Sequence, residues 1–319
     1  MIGISMGDAN GVGPEILLRT FKEGRLGGDF IVTGDSSALR KCDELLGLQT
    51  PLNIIKDSAG YRSGSVNIYD SQILTADEIK PGRIDKKVGK AALHYIKTAA
   101  LLALQGEIKA MVTLPVNKEA IRLTEPDFSG HTGYIADLCK TDNYTMMLVS
   151  DQLIVTHVST HLSMRDALDQ VKTDRISRVI RLTQDATSKL RPQARIAVAG
   201  INPHAGENGA FGREEIDEIG PAVLNAQKNG IEVFGPVPPD TVFHQAVNGK
   251  YDAVVCMYHD QGHIPLKMLD FDGGVNVTLG LPFTRTSVDH GTAYDIAYKG
   301  ISSLTSFCNA YDLALELSA

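Results

Sequence analysis

Tryptophan is absent from this 319-residue chain, and no apolar run approaches the roughly 20 residues that a membrane span requires. Cysteine occurs four times, at Cys42, Cys139, Cys256 and Cys308, far apart and without a Cys-x-x-Cys pair. That spacing suggests neither a disulfide framework nor a cysteine metal site, and the thiols read as reduced core residues. Basic runs are also missing and the net charge is -7, so the chain lacks the electrostatic footprint of a nucleic-acid binder. A phosphorylated ligand must then be held by a local basic cluster working against the overall field. The opening MIGISMGDANGVGPE has neither the basic region nor the long apolar core of a signal peptide, which predicts a cytoplasmic protein with no membrane partner. What remains is ordinary for a globular chain: 43% apolar and 22% charged residues. At this length a chain buries roughly 75% of its unfolded surface, so a full core forms without staples.

One stretch stands out, YDAVVCMYHDQGHIPLKMLDFDGGVNVTLGLPFTRTSVDHGTAYD from Tyr251 to Asp295. Asp252 to Cys256 is apolar and β-branched, which predicts a buried strand, and polar residues mass just beyond its end. Open α/β sheets bind ligands at the carboxyl ends of their strands. Imidazoles from His259, His263 and His290 suit a divalent metal, Asp260 and Asp295 suit metal or proton work, and Lys267 with Arg285 suits an anion. Taken singly, each could be a solvated loop residue; glycines at Gly262, Gly273, Gly274, Gly280 and Gly291 favour close approach of backbone to a ligand.

Strands are predicted at Ile2–Met6, Phe30–Gly34, Ala110–Leu114, Met146–Ser150, Leu153–Val158, Arg195–Ala199 and Glu232–Phe234, and helices at Ser36–Leu46, Lys87–Leu104, Arg175–Leu190 and from Arg213. Gly11 and Gly13 imitate a dinucleotide fingerprint, but Ile16 occupies its third position, so a tight strand-to-helix turn is the better reading, with Asp8 and Asn10 available to a cleft. Lys118 follows a strand end. His131 and Thr132 lie at a helix start, where an anion would fit or where Ser129 or Thr132 would cap. Asp240 is expected to cap the helix Thr241–Val247 or to face the cleft.

The His157-x-x-x-His161 spacing would chelate a metal on a helix, but its β-branched setting predicts a strand. Four residues then span about 13 Å, too far for one ion. His157 is the packed core residue, and His161, at the end of the run, is the ligand candidate. His204, among glycines beyond a strand end, and His259 complete three imidazoles at three strand ends. That is a recurring arrangement around a catalytic metal with an open position.

The motifs GDANGVGPE, LPVNKEAI, SGHT, STHLS, INPHAGENG, PPDTVF, MYHDQG and GVNVTLGLPFTRTSVDHGTA, from Gly3 to about Gly300, together resemble the PdxA-type 4-hydroxythreonine-4-phosphate dehydrogenase family of pyridoxine biosynthesis. The resemblance implies a two-lobed α/β fold like those of isocitrate and isopropylmalate dehydrogenases, with the active-site cleft between a first lobe (1–125 plus 265–319) and a second, dimerising lobe (126–264). It implies a homodimer whose subunits share each site. It assigns one divalent ion (zinc, magnesium, manganese or cobalt) to His161, His204 and His259, and a phosphorylated substrate to His131, Thr132, Lys267, Asn276 and Arg285. Lys118, Asp240 and Asp260 become candidates for proton transfer or support. The segment DHGTAYDIAYKGI is similar to the adenosine-binding HGSAPDIAGKGI of isopropylmalate dehydrogenases, which places His290, Gly291 and Asp295 near NAD or NADP.

The implied reaction oxidises a secondary alcohol, after which a β-keto acid loses carbon dioxide. A metal-dependent hydrolase using the same histidines without nicotinamide is the alternative. The chain departs from the family's usual GDPAGIGPE at Ala9 and Asn10, from GHTE at Gly133, and from DQGLP at His263 and Ile264. These departures resemble the branch acting on 4-phospho-erythronate or 4-phospho-threonate, substrates without an ammonium group.

Overall fold

All 319 residues, Met1–Ala319, are described by the computed structural model. Two compact units emerge: Met1–Asp142 with Leu281–Ala319, and Asn143–Gly280. Unit 1 begins with β1 (Ile2–Ser5), α1 (Gly13–Lys22), β2 (Phe30–Gly34), α2 (Ser36–Leu46), β3 (Leu52–Ile55) and β4 (Val66–Asp70). It continues with α3 (Lys86–Leu104), β5 (Ala110–Thr113), α4 (Lys118–Arg122) and α5 (His131–Leu138). Unit 2 carries β6 (Thr145–Val149), β7 (Ile154–His157), α6 (Met164–Asp169), α7 (Thr173–Leu190), β8 (Ile196–Ala199) and α8 (Gly220–Lys228). Its remaining elements are β9 (Val233–Val237), α9 (Val242–Val247), β10 (Ala253–Cys256), α10 (His259–Leu269) and β11 (Val275–Leu279). The chain returns to unit 1 with β12 (Thr284–Val288) and α11 (Thr305–Leu317).

Both crossings fall later than the sequence-based lobes 1–125 plus 265–319 and 126–264 placed them. Packing explains the first: Ile135 of α5 is buried with Ile96 and Ala99 of α3 and Met111 of β5, which keeps the residues before Asp142 in unit 1. Pairing explains the second, because β11 runs antiparallel to β6 from Val275↔Val149 to Leu279↔Thr145.

The strands of unit 1 are parallel, in the order β3-β4-β2-β1-β5-β12. Parallel strands covered on both faces read as unbroken apolar runs rather than alternations, which is why IGIS, FIVTG and AMVT are buried throughout. Asp85 opens α3 by accepting from the amides of Lys87 and Val88, and Val88, Ala92, Tyr95, Ile96 and Ala99 then form its buried face. The sheet order reverses at β1, which has β2 on one side and β5 on the other. Ligands favour the carboxyl ends of strands at such a reversal.

In unit 2 the order is β11-β6-β7-β10-β8-β9; β11, β6 and β7 are antiparallel, whereas β7, β10, β8 and β9 are parallel. Ile176, Val179 and Ile180 of α7 pack on one side against Val198 and Val255, while Val242 and Leu266 pack in a second cluster with Ala197, Val254 and Val155. All four cysteines are free thiols, with Cys42, Cys256 and Cys308 buried. No helix is long and apolar enough to cross a membrane.

Candidate active site

In unit 2 the loops carrying His161, His204 and His259 leave the carboxyl ends of β7, β8 and β10, and β10 lies between the other two strands. Adjacent strands are about 4.8 Å apart, so these are neighbouring loops on one edge. Hydrogen bonds tie them together. The Ser159 hydroxyl donates to the Met257 carbonyl at 2.9 Å, and Gln261 spans the other gap: its Oε1 accepts from Met257 N at 2.6 Å and its Nε2 donates to the Gly200 carbonyl at 2.7 Å.

His259 opens α10, and its Nδ1 lies 2.6 Å from Asp260 Oδ1. A carboxylate can only accept here, so Nδ1 carries the proton and the lone pair sits on Nε2. A carboxylate behind an imidazole is the usual support for a metal ligand. The His161 ring centroid is 5.6 Å away, tilted by 47°. Two imidazoles in this relation, one already fixed in its metal-binding tautomer, fit two corners of a divalent ion's shell. His204 does not join them: its ring lies 6.4 Å from Phe211, and within one chain no three His, Cys, Asp or Glu side chains gather to hold an ion.

Two further imidazoles stand behind His259. One helical turn on, His263 stacks on it with centroids 3.5 Å apart and 12° between planes. Its Nδ1 lies 3.2 Å from His157 Nε2 and 3.0 Å from the His259 carbonyl. His157 closes β7 as a fully buried residue with Nδ1 toward the Met146 carbonyl, and burial followed by the nearby His263 charge pushes its pKa down to about 3. It is neutral at physiological pH, and the proton between the two rings belongs to His263. His157 is buried as expected, but β7 ends there, so the stretch to His161 is loop rather than extended strand and both rings lie near His259, at 6.4 Å and 5.6 Å; the part played by His263 emerges only in three dimensions.

The His204 loop is built around a carboxylate that the sequence does not single out. Glu215 is 3% exposed, and its Oε1 accepts from Ile201 N and Asn202 N at 2.8 Å each. Between these anchors His204, Ala205, Gly206, Glu207 and Asn208 all take positive φ, from 41° to 79°. Left-handed backbone costs roughly 1–2 kcal/mol per non-glycine residue, so the loop is held against local preference. A π turn, Glu215–Ile219, replaces the start of the helix expected at Arg213. Glu215 and Ile219 are the buried residues of this turn, while Ile216 and Asp217 between them are exposed.

Unit 1 holds a cationic cluster. Arg285 of β12 is 2% exposed; its Nη2 donates to Thr113 Oγ1 at 2.6 Å, and burial lowers the guanidinium pKa to about 9. His131 opens α5, its Nε2 is shut off from solvent without a hydrogen-bond partner, and desolvation, then Arg285 and Lys118, hold its pKa well below 6.5. Lys118, first in α4, places its Nζ 3.4 Å from the position a Cβ would take on Gly130. Gly130 at φ 146° precedes α5, whose start has no side-chain cap, so the capping alternative for Ser129 and Thr132 is not realised. Buried positive charge beside an unmatched ring nitrogen and half-buried Thr132 fits an oxyanion such as phosphate.

The neutral His131 also sets a pH dependence. Its folded pKa lies below its unfolded value, so its stabilisation is present above pH ~6.5 and is lost as pH falls toward the folded pKa. His131→Gln is expected to flatten the acid limb of urea-melt stability by up to ~1.4 kcal/mol per pH unit between pH 6.5 and 5. An unchanged limb would contradict the assignment.

The other expected residues distribute as follows. Asn276 of β11 has a buried Oδ1 with no donor, an acceptor that a ligand hydroxyl would satisfy. Lys267 near the end of α10 is half-buried, its Nζ 5.2 Å from the centroid of the Phe271 ring. Asp240 is exposed and does not cap α9, which starts after Thr241 without a side-chain cap; the amides of Thr241 and Val242 donate to the Pro238 carbonyl instead. Asp8 and Asn10 are fully buried rather than facing a cleft, with Asn10 bonded to Lys80 N and the Arg83 carbonyl. His290, Gly291 and Asp295 are exposed beyond β12 in unit 1, and a Cβ on Gly291 would meet nothing within 4 Å. That open backbone and a free-standing carboxylate fit a nucleotide ribose.

A family model described as pyridoxal phosphate biosynthetic protein PdxA matches residues 28–314. A D-threonate 4-phosphate dehydrogenase of Pectobacterium atrosepticum is 44% identical, over 100% of this chain and 99% of the relative. The solved structure of 4-hydroxythreonine-4-phosphate dehydrogenase from Klebsiella pneumoniae aligns with a TM-score of 0.90 at 44% identity, covering 100% of this chain and 99% of that one. Isocitrate dehydrogenase from Methylococcus capsulatus, at 14% identity, aligns with a TM-score of 0.51 over 99% of this chain and 84% of its own, a likeness of fold alone. The fold is accordingly the α/β architecture of the isocitrate dehydrogenases, and the chain belongs to the PdxA family.

Proposed function

We propose that this chain is an NAD- or NADP-linked, metal-dependent dehydrogenase that oxidises the secondary alcohol of a small phosphorylated 3-hydroxy acid, whose β-keto product then loses carbon dioxide. The substrate is of the 4-phospho-threonate or 4-phospho-erythronate kind. The observation that carries this reading is the buried Arg285 guanidinium beside neutral His131 and Lys118, a ready phosphate site in an otherwise acidic protein. Gly133 where the wider family has glutamate supports a substrate without an ammonium group, as does the D-threonate 4-phosphate dehydrogenase relative.

Arg285 and Lys118 hold the phosphate by charge-assisted hydrogen bonds, with Thr132 and the His131 ring completing its contacts. Asn276 accepts from a substrate hydroxyl, and Lys267 pairs with the carboxylate. His161, His204 and His259 hold the ion in a homodimer whose subunits share each site. The separation of His204 from the His161–His259 pair within one chain supports that sharing. Asp260 keeps His259 in its binding tautomer, and His290, Gly291 and Asp295 take the dinucleotide. When bound, the metal supplies Lewis acidity toward the alcohol oxygen and the nicotinamide supplies a hydride acceptor.

A panel of 4-phospho-threonate, 4-phospho-erythronate and 4-phospho-hydroxythreonine tests the reading. With divalent metal and NAD or NADP, one of the first two is expected to give the larger reduced-nicotinamide absorbance, and chelation to abolish it. Product formed without nicotinamide would favour the hydrolase. A second test separates the histidines: alanine at His204 should lower metal content, whereas alanine at His157 should mainly lower the melting temperature. Equal metal loss in both would refute the assignment.

A further inference from the structure

We propose that Tyr294 and Tyr298 are positioning residues which, with Asp8, clamp residues 290–298 onto the turn after β1 and so hold that segment ready for the dinucleotide. The proposal rests on the nicotinamide reading of His290, Gly291 and Asp295. Where the isopropylmalate dehydrogenase motif HGSAPDIAGKGI has proline and glycine, this chain has Tyr294 and Tyr298. Both hydroxyls point to the same turn: Tyr294 donates to Asp8 Oδ2 at 2.8 Å, and Tyr298 donates to the Ala9 carbonyl at 2.7 Å.

The segment is bound to that turn at its other end too. Val12 N donates to the Thr292 carbonyl at 3.0 Å, and a Cβ on Gly11 would come within 3.0 Å of Thr292, so a larger residue there would force the two apart. Tyr298 takes φ 63°, a left-handed position that glycine fills without strain and a tyrosine fills at a cost. Only 8% of Tyr298 is exposed. Asp8 in turn is not adaptable: it is fully buried and also accepts from Asn10 N at 2.8 Å. Burial raises its carboxyl pKa to about 6, with the tyrosine bond opposing the shift. After burial, Asp8, Asp85 and Glu119 raise the Tyr294 phenol, and Cys42, Asp8 and Glu15 raise that of Tyr298.

The test compares wild type with Tyr294→Phe, Tyr298→Phe and the double variant, which keep the rings and remove one hydroxyl each. A thermal shift with inorganic phosphate first establishes that each variant folds with its anion site intact. Each single variant is expected to exchange amides of residues 290–298 faster and to bind NADH or NADPH, followed by nucleotide fluorescence, about 2- to 12-fold more weakly. The rise in KM for the dinucleotide should exceed any fall in kcat, a split that general loosening of the fold would not give. A double variant indistinguishable from wild type in exchange and in Kd overturns the clamp alone. Wild-type protein that binds neither NADH nor NADPH overturns the cofactor reading beneath it.

Discussion

Alanine in place of His259 is expected to strip the protein of its divalent ion and to lower turnover by about 1000-fold or more, as loss of several kcal/mol of Lewis-acid stabilisation dictates. The ring is held between the Asp260 carboxylate at 2.6 Å and the stacked His263, and faces His161. Asp260→Asn tests the same geometry more gently. An amide in place of the carboxylate leaves the ring in position but no longer fixes its tautomer, so metal affinity should fall roughly 10- to 100-fold. Metal content measured by atomic emission after dialysis distinguishes these outcomes. Full occupancy in the His259→Ala protein would remove the imidazole set from the mechanism.

Methionine in place of Arg285 should raise KM for the phosphorylated substrate about 10- to 160-fold, the equivalent of one charge-assisted hydrogen bond at ~1.5–3 kcal/mol. Methionine fills the buried volume without the charge, so the strand β12 and its pairing with β5 should persist. The effect should fade with an unphosphorylated hydroxy acid, because the interaction lost is with the phosphate. An unchanged KM for the phosphorylated substrate would detach the guanidinium from recognition.

Much of the fold was legible because parallel strands buried on both faces leave unbroken β-branched runs. FIVTG and SSALRKCDELL fall as strand and helix where their patterns put them. Strand context also identified His157 as a core residue, since a terminal position in β7 buries its ring. Less local features escaped. Whether α5 belongs to one unit or the other depends on Ile135 finding Ile96 and Met111, a contact invisible in the order of residues. Glu215 shares the helical spacing of buried Ile219 and Val223, but a carboxylate there reads as a surface charge until the amides of Ile201 and Asn202 are seen to meet it. Asp240 had the right chemistry and spacing for a cap, but the Pro238 carbonyl takes the amides of Thr241 and Val242. The imidazole motifs located strand ends correctly, yet the grouping of His161 with His259 and apart from His204 is decided by loop geometry alone.

The return of the chain to unit 1 orders its maturation during synthesis. Unit 2 is one continuous stretch, Asn143–Gly280, and can close as soon as it clears the ribosome, whereas the parallel array of unit 1 stays open at β5 until Leu281–Ala319 follows. Arg285, His290 and Asp295 all travel in that last segment. A nascent polypeptide therefore exposes an unpaired β5 edge throughout translation of unit 2, and gains the buried Arg285 only with the strand that covers the edge.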